Sequence, residues 1–188
     1  MVINYLQRTL LYADDAAVVF AYFDYQQSMS VSDILASFLK QLIIRKTALS
    51  PEISHFYQSH VRQHSRPTIR ELSALLRSET QELSTVFVVL DALDEFTDSY
   101  RGGSAERLLI EVEKLGPSFK LLVTSRPHVQ IVPQIFPDSK RLDIRASYED
   151  IERYVLGRID KETRLKHIGD PRLTKLLEKT IAEQSQGM

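Results

Sequence analysis

The run Thr85-Val86-Phe87-Val88-Val89-Leu90-Asp91-Ala92-Leu93-Asp94-Glu95 constrains this chain more than any other stretch. Five consecutive apolar residues, Val86 to Leu90, three of them valine, leave no polar face. A strand with one face in water alternates apolar and polar side chains, whereas a strand covered on both faces does not. The run therefore predicts a buried strand of a parallel sheet. Three carboxylates, Asp91, Asp94 and Glu95, follow at once. Open α/β sheets bind ligands outside the carboxyl ends of their strands, so acids at such a tip stand where chemistry is done. An aspartate there can hold Mg²⁺, directly or through water, and the metal then bridges nucleotide phosphates. A second acid a few residues on can orient or deprotonate an attacking water. The competing reading is a solvated acidic turn after a core strand.

The other elements support an α/β scaffold. Val18-Val19-Phe20-Ala21-Tyr22-Phe23-Asp24 and Phe119-Lys120-Leu121-Leu122-Val123-Thr124 read as two further buried strands, with a short one from Arg141 to Ile144. Residues 1–12 read as a helix with Val2, Ile3, Leu6 and Leu10 on one face. Ser30 to Lys46 keeps a 3.6-residue apolar period through Val31, Ile34, Leu35, Phe38, Leu39, Leu42 and Ile43, and Ser30 with Asp33 makes a capping-box pattern. Pro51 opens a weaker helix to about His64. Thr68 to Leu83 and Ala105 to Leu115 follow, the last of these ended by Gly116-Pro117. Thr97 to Gly103 is a polar loop. Ser147 and Asp150 cap a helix through Ile151, Tyr154, Val155 and Ile159, and Asp170-Pro171 starts a final one. This alternation predicts a three-layer α/β fold around a mostly parallel sheet.

Composition narrows the function classes. A chain of 188 residues suits one domain with a short appendage, and 24 basic against 25 acidic residues imply no dedicated nucleic-acid or membrane surface. There is no cysteine, which excludes disulfides and thiolate metal sites and fits a reducing compartment. No apolar run approaches the roughly 20 residues of a membrane-spanning helix, and the start lacks the marks of a signal peptide. A cytoplasmic protein is the expectation.

Two further constellations have competing readings. Arg126 stands just past a strand tip, one crossover after the acidic strand. It either faces a crevice shared with Asp91, pairing with a γ-phosphate, or neutralises Asp94 or Glu95. His55, His60 and His64 share one predicted helix, and the i, i+4 pair has zinc-binding spacing, but no further ligand is evident and a solvent-facing cluster is the better account. Arg62, Arg66, Arg70 and Arg77 read as a solvated face, since a nucleic-acid surface would interleave aromatics. No GxSxG, Cys–His pair or HExxH motif occurs.

Taken in order, Phe20-Ala21-Tyr22-Phe23-Asp24-Tyr25, Val88-Val89-Leu90-Asp91-Ala92-Leu93-Asp94-Glu95 and Leu121-Leu122-Val123-Thr124-Ser125-Arg126-Pro127 resemble the NACHT branch of the STAND P-loop NTPases. The variant is the one common in fungal NLR-like proteins, close to the nephrocystin-type N-terminal module. The resemblance spans nearly the whole chain and makes the acidic strand a Walker B segment. It implies Asp91 as the Mg²⁺ ligand, Asp94 and Glu95 as the acids near the attacking water, and Arg126 with Ser125 beside the γ-phosphate. It implies ATP or GTP with Mg²⁺ as cofactor and a nucleotide-dependent signalling switch. The implied partners are the nucleotide, self-association, and effector or repeat domains in a full-length protein, with neither nucleic acid nor membrane.

The departure from the family is the absence of GxxxxGK[ST] anywhere in the sequence, which removes the lysine and backbone donors that cradle phosphates. The resulting expectation is a fragment: residues 1–160 as a partial NTPase core lacking its first, P-loop strand, and 161–188 as the start of the following helical region. Little or no activity is expected of it. The missing strand would leave Phe119 to Thr124 with an unpaired edge. The alternative is a non-catalytic interaction scaffold that keeps the fold and has abandoned nucleotide.

Overall fold

The computed structural model describes residues 2–10, 15–46, 48–96, 104–145, 147–161, 176 and 179–180. The chain divides into two compact units, Met1–Ser139 and Lys140–Met188. The first contains the sheet. Its strands β1 (Ala16–Tyr22), β2 (Thr85–Asp91) and β3 (Phe119–Val123) pair in parallel in the order β1-β2-β3. The acidic-tipped strand is thus the central one.

Parallel pairing demands crossovers, and the sequence supplies them as amphipathic helices. Between β1 and β2 lie α2 (Val31–Ile43), α3 (Pro51–Gln63) and α4 (Ile69–Glu79), and between β2 and β3 lies α5 (Ser104–Glu113). Helix α2 starts at Ser30, whose hydroxyl accepts the Asp33 N–H while the Asp33 carboxylate accepts the Ser30 N–H. Thr68 and Glu71 repeat this reciprocal cap on α4. Each box satisfies two backbone donors that a helix start would otherwise leave open. Helix α3 begins on the Ser50 cap with Pro51 at the position where a missing N–H costs nothing.

The residues that point alternately from the strands build two cores. Ala17, Val19 and Ala21 of β1 join Val86, Val88 and Leu90 of β2 under α2, α4 and α5, with Ile34, Leu35, Phe38, Leu76, Leu108 and Leu109 wholly enclosed. Full burial of each of these large side chains contributes about 1.5–3 kcal/mol. On the opposite face Val18 and Val89 pack against Ile3 of α1 (Val2–Thr9), with Leu6 and Leu10 alongside. The sheet is therefore flanked by helices on both sides.

Buried polar groups brace the helical layer. Glu79, at the end of α4, has a nearly enclosed side chain that accepts from Lys46 and from Ser50 Oγ at 2.6 Å. This one carboxylate ties the ends of α2 and α4 to the start of α3. Burial alone would raise its pKa, but the hydrogen bonds from Lys46 and Ser50 and the lysine charge outweigh it and hold the carboxyl below its usual range. Ser73 is also buried, and among the described residues its Oγ has no hydrogen-bond partner.

Two expectations are corrected. Strand β3 is not buried on both faces: Phe119, Leu121 and Val123 are half-buried while Lys120 and Leu122 are exposed. Among the described residues it pairs on one side only, with β2, so it is an edge strand. Arg141 to Ile144 does not form a strand. A strand exists only where a neighbour accepts its hydrogen bonds, and Leu142 and Ile144 here are 81% and 84% exposed. Helix α6 (Ile131–Ile135), containing Pro133, completes the first unit.

The second unit contains α7 (Tyr148–Lys161), started as expected by Ser147 and Asp150. The polar loop from Thr97 to Gly103 and the helix expected after Asp170 lie outside the described residues. Among the described residues no helix is long and apolar enough to cross a membrane.

Candidate functional site

Parallel register brings the three strand tips to one edge. Tyr22 lies opposite Asp91, and Leu90 opposite Val123, so the segments after β1, β2 and β3 leave the sheet side by side. The Phe23 N–H donates to the Asp91 carbonyl at 3.0 Å, extending the β1–β2 ladder to its limit. The Thr124 N–H donates to the Leu90 carbonyl at 2.9 Å, doing the same for β3.

Asp91 ends β2 with its side chain partly exposed, and Thr124 holds it. The Thr124 hydroxyl donates to Asp91 Oδ1 at 2.5 Å and accepts the Ala92 N–H at 2.9 Å, while its carbonyl accepts the Leu93 N–H at 2.9 Å. Three bonds from one residue thus pin the turn that leaves β2. That turn is sharp. Ala92 has φ 58° and ψ 47°, a left-handed conformation that costs a residue with a Cβ about 1–2 kcal/mol. The bonds to Thr124 offset it, together with Leu93, which is 1% exposed and anchors the turn in the core. Strain at a strand tip, over-determined by its surroundings, is a common mark of functional backbone.

Leu93–Glu95 form a single 3-10 turn. It sets Asp94 against the loop after β3, where Asp94 Oδ1 accepts the Arg126 N–H at 3.1 Å and Oδ2 meets Arg126 Nε at 3.1 Å. The Asp94 side chain is 8% exposed and that of Arg126 is 69% exposed. Of the two readings of Arg126, the observed partner is Asp94. The pair joins two strand tips and leaves most of the guanidinium in solvent. Ser125 is exposed beside it, and Glu95 is half-buried at the end of the turn. Phe96, stacked on Phe23 with ring centroids 4.6 Å apart, closes the base of the edge.

The arrangement can do two things chemically. Asp91 presents a carboxylate oriented through one oxygen, and among the described residues no hydrogen bond engages the other, which is open to a cation. No group of three or more His, Asp or Glu able to hold a metal exists among the described residues. That donor set fits Mg²⁺ in its usual nucleotide-bound form, with one or two carboxylates and the remaining ligands from water and phosphate oxygens. It does not fit a metal caged by protein alone. Arg126 and Ser125 add a cation and a hydroxyl at the same edge.

A family profile described as nephrocystin 3, N-terminal matches residues 1–126, about two thirds of the 188. This chain belongs to the nephrocystin 3 N-terminal family. The matched stretch contains β1, β2 and β3, and it includes Asp91, Asp94, Glu95, Ser125 and Arg126. In this nephrocystin-type domain the family segment and the parallel sheet nearly coincide, and the match ends at the residue that pairs with Asp94. No curated protein matches the sequence.

Sequence reasoning missed Thr124 as a site residue. Its signal was a hydroxyl ending an apolar strand that is next in order after an acid-tipped one. His55 and His60 of α3, and His64 at its C-terminal cap, stand apart from the sheet edge: His60 Nδ1 bonds Ser65 Oγ at 2.8 Å, and its Nε2 lies 3.6 Å from Glu71 Oε1.

Proposed function

We propose that this domain is the metal-side half of a nucleoside-triphosphate site in a signalling switch of the NACHT type. The observation that carries the reading is the oriented carboxylate of Asp91 at the tip of the central strand of a parallel sheet, fixed by the neighbouring strand's Thr124. In this reading Asp91 takes Mg²⁺ bound to ATP or GTP. The metal, when bound, neutralises phosphate charge. Arg126 and Ser125 face the terminal phosphate from the adjacent tip. Asp94 acts mainly by holding Arg126 in place, and Glu95 is the remaining acid for the attacking water. The sequence contains no GxxxxGK[ST] cradle, so affinity from this half alone is low and turnover negligible.

Paramagnetic broadening tests the reading on the chain itself. Mn²⁺–ATP or Mn²⁺–GTP added to isotope-labelled protein is expected to broaden the amide signals of Asp91, Ala92, Thr124 and Arg126 first, and Asp91→Asn is expected to abolish that pattern. Uniform broadening, or a pattern that survives Asp91→Asn, sinks it.

A second reading, a non-catalytic interaction scaffold, is favoured by one observation. Both Asp94 oxygens are committed to Arg126, which makes the edge a structural staple. If neither nucleotide perturbs these residues at millimolar concentration, the scaffold reading stands.

A further inference from the structure

Four arginines of this chain precede a hydroxyl side chain by three residues: Arg62 before Ser65, Arg70 before Ser73, Arg77 before Thr80 and Arg101 before Ser104. Protein kinases of one broad class read that spacing. The guanidinium pairs bidentately with carboxylates in the kinase's substrate groove, which sets the hydroxyl three residues on at the γ-phosphate of ATP. The fold separates the four. Ser73, within α4, is 2% exposed, and Thr80 is 4% exposed with its hydroxyl donating to the Leu76 carbonyl at 2.7 Å. Neither reaches a kinase unless α4 leaves the core. Arg101 lies outside the described residues. Ser65 and Arg62 are both exposed.

The backbone around Ser65 suits the same use. Helix α3 ends at Gln63, and His64 caps it in the left-handed region at φ 49°. From Ser65 to Thr68 the chain is in neither helix nor strand. Pro67 disfavours helical backbone at Arg66, which keeps this stretch from joining α4. Arg62 is in the last turn of α3, whose one buried residue is Ile53, so opening that turn to a kinase groove disturbs little packing. No acidic residue occurs from His55 through Arg70, so no neighbour in sequence opposes the carboxylates that would hold Arg62. Glu71, the next acid, accepts from the Thr68 N–H and lies at the other nitrogen of the His60 ring from Ser65.

We propose that Ser65 is a phosphorylation site, the acceptor for an ATP-dependent serine/threonine kinase that reads Arg62. The Ser65 Oγ attacks the γ-phosphorus held with Mg²⁺ in the kinase, and the bond from that phosphorus to the ADP oxygen breaks. The hydroxyl proton passes to the kinase's base, leaving phosphoserine and ADP. The new group carries about two negative charges. It arises beside His60, whose Nδ1 is 2.8 Å from the Ser65 Oγ, and a serine–histidine contact between the end of α3 and the chain entering α4 becomes a charge-assisted one. The site is independent of the sheet edge and of the nucleotide reading.

The test incubates the whole chain with Mg²⁺–ATP and a purified kinase selective for arginine three residues before the acceptor, and maps the phosphate by mass spectrometry. The expected result is phosphate at Ser65 and none at Ser73 or Thr80. Ser65→Ala is expected to abolish that incorporation and Arg62→Ala to slow it about tenfold or more. Arg62→Lys is expected to give an intermediate rate, because it keeps the charge and loses the bidentate pairing. Both side chains are exposed, so circular dichroism of the variants is expected to match the parent. No incorporation, phosphate at Ser73, Thr80 or Ser104 in place of Ser65, or a rate indifferent to Arg62→Ala overturns the proposal.

Discussion

Thr124 shows how much one side chain can decide at a strand tip. Its hydroxyl is donor to Asp91 and acceptor for Ala92, and valine has the same shape without either bond. Thr124→Val is expected to lower unfolding stability by about 1–3 kcal/mol, because the Ala92 N–H loses its partner and its left-handed turn loses support. A chemical denaturation midpoint that does not move would show that water replaces both bonds freely. Asp94 makes two contacts with Arg126, one to backbone and one to side chain, whereas truncating Arg126 removes only the second. Asp94→Ala is therefore expected to destabilise more than Arg126→Ala, whose guanidinium is mostly in solvent and contributes little. The opposite order in thermal melts would refute the staple. Ser73 is the reverse case. Among the described residues its buried hydroxyl has no partner, so Ser73→Ala is expected to be neutral or slightly stabilising in the same melts.

At the scale of elements, local chemistry did most of the work. The capping boxes at Ser30/Asp33 and Thr68/Glu71 form from residues three apart, and replacing Ser30 or Thr68 by alanine is expected to cost about 1 kcal/mol each in denaturant melts. Carboxyls held below their usual pKa make the fold acid-sensitive. Asp33 is held below its usual pKa by hydrogen bonds from Ser30, opposed by desolvation and helped by Arg66. Glu79 is lowered despite burial. A carboxyl whose folded pKa is depressed stabilises the fold above its unfolded value and loses that contribution as pH falls through the folded value. Stability is thus expected to be level near neutrality and to decline as pH drops below about 4.5, the ordinary glutamate value. Glu79→Gln should flatten that decline while lowering the neutral-pH melting temperature. A decline as steep as the parent's would remove Glu79 from the account.

For the whole molecule, the sheet's open side is the consequential feature. β3 pairs with β2 alone among the described residues, and Leu122, 40% exposed, lies on its poorly covered face. Exposed apolar edges template further pairing, and charge on such an edge suppresses it. Leu122→Lys is expected to reduce light scattering of concentrated chain without changing its circular dichroism. Equal scattering would mean that aggregation starts elsewhere. On this same face the β1–β2 side is better protected, since α1 contributes Ile3, Leu6 and Leu10 against Val18 and Val89, the latter the cross-strand partner of Leu122.

What the sequence determined by itself was what short-range patterns encode. Runs such as Val86 to Leu90 can be stable only inside a covered sheet, and the 3.6-residue periods and caps specify helices without reference to distant partners. Three strands, the parallel architecture and the position of Asp91 at a strand end were legible for that reason. Tertiary structure decided what depends on a partner far along the chain. Arg141 to Ile144 has the composition of a strand, yet a strand is made by its neighbour and none is offered there. Whether Arg126 stays with Asp94, and that Thr124 grips Asp91, rests on two strand tips separated by more than thirty residues being brought into register by β2 and β3. Pairing of that kind is set by the packing of α5 and the sheet, a non-local balance that no window of sequence contains.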